Sequence, residues 1–306
     1  MFPNHVANHR MLFFSQMPRP RTSRAQPVNP RNADSVKPAY GQHFLTRREI
    51  LERSLEYAKV NAEDDVLEVG PGPGTLTELL AQSARRVFSI EIDRKFEPGL
   101  SALEARYPNL SIIWGDALEV EFPRFNKIVA NLPYRPSLPL IFKFLERGFH
   151  TAVLVIQSRL AKRLAAAAGD DGYSRISVVT QRIAALRVLE TVKPECFSPP
   201  PEVDSAMIRL RKTRPLFPIS SDGEFSLLLD FLFLRRKWTV YKALMDLPET
   251  APVKAVLSQL PRSLTSKTIA MVQPAEFGKI SVALAQFKIS IPAVSNELKR
   301  KAQKYF

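Results

Sequence analysis

The sequence predicts an α/β protein, a mostly parallel, doubly wound sheet followed by a small C-terminal all-helical domain. Two observations carry the sheet. Between about Pro38 and Arg211 short β-branched runs alternate with helical patterns, and the first run leads into a glycine-rich turn. Alternation of this kind implies βαβ units. A third observation carries the helical domain. From Phe225 onward the apolar residues take helical spacing, punctuated by Pro248, Pro252, Pro261, Pro274 and Pro292.

Taken in order, Asp65–Val69, Val87–Glu91, Ser111–Trp114, Lys127–Ala130 and Ala152–Ile156 read as buried strands. They are short apolar runs bounded by turn residues. Thr75–Ser83, Arg94–Arg106 and Leu138–Glu146 read as the intervening helices. Val203–Leu210 reads as a late strand, and Arg211–Pro218 as a basic, proline-containing linker. Residues 1–37 differ from the rest, with six basic residues, one acid and five prolines. Such a segment buries too little surface to offset its ordering entropy and reads as a disordered basic tail. Its arginines and near-absence of acids also suit an organellar transit segment, although the prolines break most of its helical potential. The expected domains are therefore 1–37, 38–214 and 215–306.

Composition narrows the function classes. The chain has 306 residues with 44 Lys+Arg against 30 Asp+Glu, a formal charge of +14. That excess favours an anionic partner such as nucleic acid. An acidic membrane face would suit the charge too, but no apolar run approaches the roughly 20 residues needed to span a bilayer, so an integral membrane protein is excluded and no membrane partner is expected. One cysteine, Cys196, excludes an intramolecular disulfide framework and a cysteine-rich zinc site.

Val66-Leu-Glu-Val-Gly-Pro-Gly-Pro-Gly-Thr75 is a strand entering a glycine turn and then a helix. Its glycines let the backbone approach a ligand closely at the carboxyl end of the first strand. The spacing is G-x-G-x-G, which departs from the dinucleotide fingerprint. Glu91 follows at the end of the second strand, where an acid accepts hydrogen bonds from ribose hydroxyls. Asp116 sits just after the third strand. Each residue alone is an ordinary turn residue, but the ordered set offers glycine, acid and acid to one crevice and suits an adenosine-bearing cofactor. Ala130-Asn-Leu-Pro-Tyr134 closes the fourth strand. An exocyclic base amine is a poor nucleophile, and acceptors at the Asn131 side chain and the Leu132 carbonyl would align it. Pro133 fixes the backbone and Tyr134 offers a face for stacking.

These segments resemble the motifs of S-adenosylmethionine-dependent adenine-N6 methyltransferases. Gly41-Gln-His-Phe-Leu45 and Phe197-Ser-Pro-Pro-Pro-Glu-Val-Asp-Ser205 narrow the resemblance to the ribosomal RNA small-subunit adenine dimethyltransferase family, closest to its archaeal branch. It covers about residues 38–245. The resemblance implies a Rossmann-like class I methyltransferase domain with S-adenosyl-L-methionine as methyl donor. It places Gln42, His43, Leu45, Glu68, Gly70, Gly72, Glu91, Ile92, Asp116, Ala117 and Asn131 at the cofactor. Asn131, Leu132, Pro133, Tyr134 and Phe197 would hold the target adenine, with Phe197 stacking on its second face. The implied reaction dimethylates N6 of two adjacent adenosines near the 3′ end of small-subunit rRNA, without a metal, each leaving its stack to react. The implied partner is an immature small ribosomal subunit in the cytoplasm, bound by a monomer.

Some positions depart from the pattern. Gln157-Ser-Arg-Leu-Ala-Lys-Arg163 places Arg159 where the family carries an acid, so no role is carried over there. His43 stands where Asn is common. Trp238-Thr-Val-Tyr241 is unfamiliar, and no motif matches after about Pro248. Basic clusters at Arg209–Arg214, Arg235–Lys237 and Lys299–Lys304, with the tail, suit folded RNA recognised through its phosphates. Alternatives remain: a large-subunit methyltransferase of the macrolide-resistance type, a non-catalytic ribosome-assembly or mitochondrial transcription factor, and a DNA adenine methylase.

Overall fold

The structure is a computed structural model that describes residues 42–247 and 252–292. The tail of residues 1–37, Gly41 and the cluster Lys299-Arg-Lys301 with Lys304 lie outside the described residues. The chain forms two compact units, with boundaries after residues 165, 183 and 213.

The larger unit comprises 42–165 and 184–213 of the described residues. It contains β1 (Phe44–Leu45), α1 (Arg48–Ala58), β2 (Asp65–Val69), α2 (Thr75–Ser83), β3 (Arg86–Glu91), α3 (Glu97–Arg106) and β4 (Leu110–Trp114). There follow β5 (Lys127–Asn131), α4 (Ser137–Arg147), β6 (Thr151–Gln157), α5 (Ser158–Ala165), β7 (Ala184–Val192), β8 (Phe197–Ser198) and β9 (Ser205–Lys212). Seven strands make one sheet in the order β4-β3-β2-β5-β6-β9-β7. The first five are parallel, and β9 runs antiparallel to both β6 and β7. Every residue of β2 is buried, as expected of a central strand covered on both faces. The α1 helix buries Ile50, Leu51, Ser54 and Ala58, a stripe at helical spacing. That stripe joins Val66, Val129, Val153, Val155 and Met207 in a hydrophobic core. At the amino ends of the strands Lys127, 8% exposed, donates to Asp64 at 2.7 Å, a buried ion pair that ties β5 to the loop before β2.

The sequence reading lacks β1, α1, β7 and β8 and bounds β9 differently. The β7 strand was not expected, because its Ala-Ala-Leu-Arg-Val-Leu-Glu-Thr-Val run lacks strict alternation. A register shift between Val188 and Glu190 accounts for that, since a bulge breaks the period of two. Arg211 and Lys212, read as linker, are the last residues of β9.

The smaller unit joins residues 166–183 to 214–247 and 252–292 of the described chain. The sequence reading placed a single boundary near 214, whereas α6 (Arg175–Ile183) belongs to this unit. Its other helices are α7 (Asp222–Phe233), α8 (Val240–Met245), α9 (Val253–Gln259), α10 (Arg262–Thr265) and α11 (Pro274–Gln286). Aromatic rings fill its centre. Phe233 stacks on Phe277 at 5.4 Å and meets Tyr173 edge-on at 5.7 Å, while the Tyr173 hydroxyl donates to the Val272 carbonyl at 2.8 Å. Gly278 lets α11 approach closely, since a Cβ there would lie 2.6 Å from Phe217 and from the Pro218 carbonyl oxygen.

Candidate active site

The parallel strands present their carboxyl ends along one edge of the sheet. There β2 gives way to the turn of residues 70–74, whose glycines take positive φ. At Gly72 (φ 55°) two constraints coincide. The conformation disfavours a side chain, and a Cβ would lie 2.3 Å from the Phe44 ring. The Gly72 amide donates to Glu91 Oε2 at 3.0 Å, and the Ile92 and Asp93 amides donate to Oε1 at 2.9 and 2.8 Å. Burial nevertheless raises the Glu91 carboxyl above the ordinary glutamate range, against the pull of those three donors. Glu68 lies deeper, 1% exposed. Its Oε2 accepts from the Thr77 hydroxyl at 2.8 Å and the Ser89 hydroxyl at 2.6 Å. Desolvation pushes its pKa up to about 7, with the two hydroxyls opposing and the Glu91 charge adding to the shift.

Asp116 follows β4 through Gly115, whose amide donates to the Glu91 carbonyl at 2.8 Å. This bond and the Glu91–Trp114 register bring the two acids' strand ends side by side. Ala117 is buried, and its carbonyl accepts from Lys143 Nζ at 2.8 Å. Lys143 also donates to the Leu118 and Val120 carbonyls and sits over the Phe122 ring at 4.2 Å. It anchors the loop that carries Asp116. Sequence reasoning missed this residue, although a lone lysine within Ile141–Leu145 of an otherwise apolar helix was a usable signal. Ile92, 43% exposed, offers apolar surface beside Glu91.

The 131–134 segment follows β5. Asn131 Nδ2 donates to the His43 carbonyl at 2.7 Å, which leaves Oδ1 as the acceptor of that side chain. Leu132 hangs its amide on the Val155 carbonyl at 3.0 Å and buries its side chain, so its polar contribution is the carbonyl. The Pro133 carbonyl accepts from Ser137 Oγ at 2.7 Å. The Tyr134 hydroxyl is bonded to Ser205 Oγ at 2.6 Å, and burial raises its pKa, so the phenol stays neutral. The rings of His43 and Tyr134 lie 5.2 Å apart, and His43 Nδ1 is 2.8 Å from the Pro199 carbonyl. A small pocket is lined by Gln42, His43, Phe44, Gly70, Asn131, Leu132, Pro133 and Tyr134. An adjoining one is lined by residues including Leu45, Glu68, Gly70 and Thr75.

The β1–β8 ribbon explains how distant motifs meet. Phe44 pairs with Ser198 and Leu45 with Phe197, so the 42–45 and 197–205 segments are hydrogen-bonded neighbours. The same pairing sets the place of Phe197. Its side chain is 4% exposed and packed in the core with Leu45, Leu51 and Met207, because its place in the ribbon turns it inward. It does not line the pocket beside Tyr134. The other predicted site residues come together along the edge.

The crevice fits an adenosine-bearing sulfonium donor. Its two buried carboxylates suit a ligand with ribose hydroxyls and net positive charge, and the glycines of the turn add no side chain of their own. A doubly wound sheet with such a crevice beside an amide-and-aromatic pocket defines a methyltransferase that acts on an amine. The chain belongs to a family whose model, ribosomal RNA adenine dimethylase, matches residues 33–286. Members of that family use S-adenosylmethionine as methyl donor.

Relatives agree with this membership. A probable ribosomal RNA small subunit methyltransferase A of Methanococcus maripaludis is 41% identical over 208 residues, 67% of this chain and 79% of the relative. A protein of the same name from Pyrococcus abyssi is 36% identical over 255 residues, covering 81% and 92%. A solved dimethyladenosine transferase from Plasmodium falciparum superposes with a TM-score of 0.71 at 28% identity, covering 82% of this chain and 100% of that one. A 23S rRNA methyltransferase superposes with a TM-score of 0.64 at 29% identity, covering 79% and 100%.

Proposed function

We propose that this protein dimethylates N6 of two adjacent adenosines near the 3′ end of small-subunit rRNA, as a cytoplasmic monomer acting on an immature small subunit. The observation that carries the reading is the Asn131–His43 hydrogen bond. It fixes the side-chain amide with Oδ1 as acceptor, next to the Leu132 carbonyl and the Tyr134 ring. Two acceptors for the N6 hydrogens hold the amine lone pair toward the donor and favour the positive charge that develops on nitrogen. When bound, S-adenosylmethionine supplies an electrophilic methyl group on sulfur. Glu91 receives the ribose hydroxyls, Asp116 and Ala117 the adenine, Ile92 packs on the adenosine, and Gly70, Gly72, Glu68, Gln42, His43 and Leu45 surround the remainder. Tyr134 stacks on the target base, held upright by Ser205.

The smaller unit is assigned to RNA and ribosome contact. Supporting this, Lys237, Lys242, Lys254, Arg262 and Lys279 are exposed on it. Arg235 and Arg236 serve its fold instead. Arg235 pairs with Asp246 and lies over Phe231 at 3.9 Å, and Arg236 clasps the carbonyls of Asp170 and Tyr173. Among the described residues no helix is long and apolar enough to cross a membrane.

The experiment is methyl transfer from labelled S-adenosylmethionine to unmodified small subunits, large subunits and duplex DNA. Label confined to small subunits is the expected result. Label on large subunits or on DNA would replace the substrate assignment, and tight subunit binding with no transfer would favour an assembly factor.

A further inference from the structure

Away from the crevice, the α1-side face of the sheet carries arginines that the reaction does not use. Arg187 on β7 lies directly opposite Arg209 on β9, and Arg211, two residues further along β9, shares their face. The same face carries Val153, directly opposite Arg209 on β6, and Met207, two residues back along β9, both in the core, which fixes its orientation. Arg187 and Arg211 are exposed and Arg209 is half-buried. Like charges directly opposite on paired strands destabilise a sheet, so an opposite charge would be expected nearby. Glu190, paired with Met207 on this face, is already held by Arg53 of α1 through contacts of 3.0 to 3.2 Å. Among the described residues no carboxylate pairs with Arg187, Arg209 or Arg211. Three guanidiniums thus share one strand-paired face with no internal counter-ion.

We infer that Arg187, Arg209 and Arg211 form a second RNA-docking surface that grips backbone phosphates roughly 13–20 Å along β9 from the Tyr134–Ser205 bond, at about 3.3 Å per residue. The inference rests on the reading of this protein as an RNA enzyme. Guanidinium forks suit phosphate oxygens, and strands in fixed register present them without the ordering cost of a flexible loop. An anion between Arg187 and Arg209 turns an internal repulsion into an attraction. Its distance from the pocket lets it hold a neighbouring part of a folded RNA while the target base is in the site.

The test measures equilibrium binding of the full-length protein to unmethylated small subunits between 50 and 200 mM salt, with wild type, Arg187→Gln/Arg209→Gln and Arg187→Glu. The double variant should lower the slope of log K against log salt by about 1.4–1.8, at roughly 0.7–0.9 per lost phosphate contact. Its cofactor affinity should be unchanged and its melting temperature equal to or above wild type. Arg187→Glu, which gives Arg209 a partner, should melt higher and bind RNA more weakly. Three results would overturn the inference: an unchanged slope, a lowered melting temperature in both variants, or self-association with RNA binding intact, which would make Arg187 a guard of the β7 edge. Loss of subunit binding with intact binding to naked rRNA would also overturn it, assigning the face to a protein partner. A wild type that binds in this arginine-dependent way yet transfers no methyl group would refute the enzymatic reading and leave the surface standing.

Discussion

Replacing Glu68 by Gln should stabilise the cofactor-free protein, increasingly so as pH rises from 4.5 to 7. The Glu68 carboxyl is fully buried, with two hydroxyl donors and no cation among its partners, and its pKa rises from 4.5 to about 7. The direction of the linkage follows. Between pH 4.5 and 7 the unfolded chain has lost this proton while the native state retains it, so native stability falls as pH rises through that window and is level above it. At about 1.4 kcal/mol per pH unit across that window, the wild type loses about 3 kcal/mol by pH 7.5. Gln keeps an acceptor for Thr77 and Ser89 and carries no charge. The variant should therefore exceed the wild type by less than about 1 kcal/mol near pH 5 and by about 3 kcal/mol at pH 7.5, the latter roughly 6–12 °C in melting temperature. Thermal unfolding of both proteins from pH 5 to 8 measures this, and titrations common to both cancel in the difference. A difference that does not change with pH, or a Gln variant less stable at pH 8, would refute the reasoning.

Other outcomes follow from the same geometry. Asn131→Ala should lower kcat by about 10²–10³-fold, the usual effect of one preorganised polar group, while cofactor affinity, measured by calorimetry, holds. Gly72→Ala should cost about 1–3 kcal/mol in chemical denaturation, from a positive φ and a collision with Phe44. It should also weaken cofactor binding. Lys127→Ala strands Asp64 in a buried site and should destabilise by about 3–5 kcal/mol, a loss that denaturant titration resolves. Lys143→Met removes three hydrogen bonds to the 117–120 carbonyls and should weaken cofactor binding without altering the Asn131 pocket.

How much of this was legible in the sequence depends on whether the determinant is local. The central strands β2, β3, β5 and β6 were readable because strands buried on both faces are apolar runs closed by turn residues. The residues at their carboxyl ends were readable for the same reason, since topology places strand ends together. Edge strand β7 was not, because the bulge after Val188 hides its period. That α6 leaves the sheet unit for the helical one is a matter of packing that no local pattern records. The resemblance implies only that Phe197 stacks on the target base, and the pairing with Leu45 is what shows its side chain entering the core. Arg235 and Arg236 read as a nucleic-acid patch, yet an arginine beside helix ends finds carbonyls and an aspartate first. Arg187 and Arg209 are 22 positions apart, and their confrontation exists only in the register of β7 with β9.

The central claim is that the pocket around Asn131 carries out N6 dimethylation of small-subunit rRNA. Mass spectrometry of nucleosides and RNase fragments from unmethylated small subunits incubated with S-adenosylmethionine and the protein tests it most directly. The account predicts N6,N6-dimethyladenosine at two adjacent positions near the 3′ end with wild type, and unmodified adenosine there with Asn131→Ala. Methylation elsewhere in the subunit, or the same dimethylated pair formed by the Asn131→Ala protein at the wild-type rate, would contradict it.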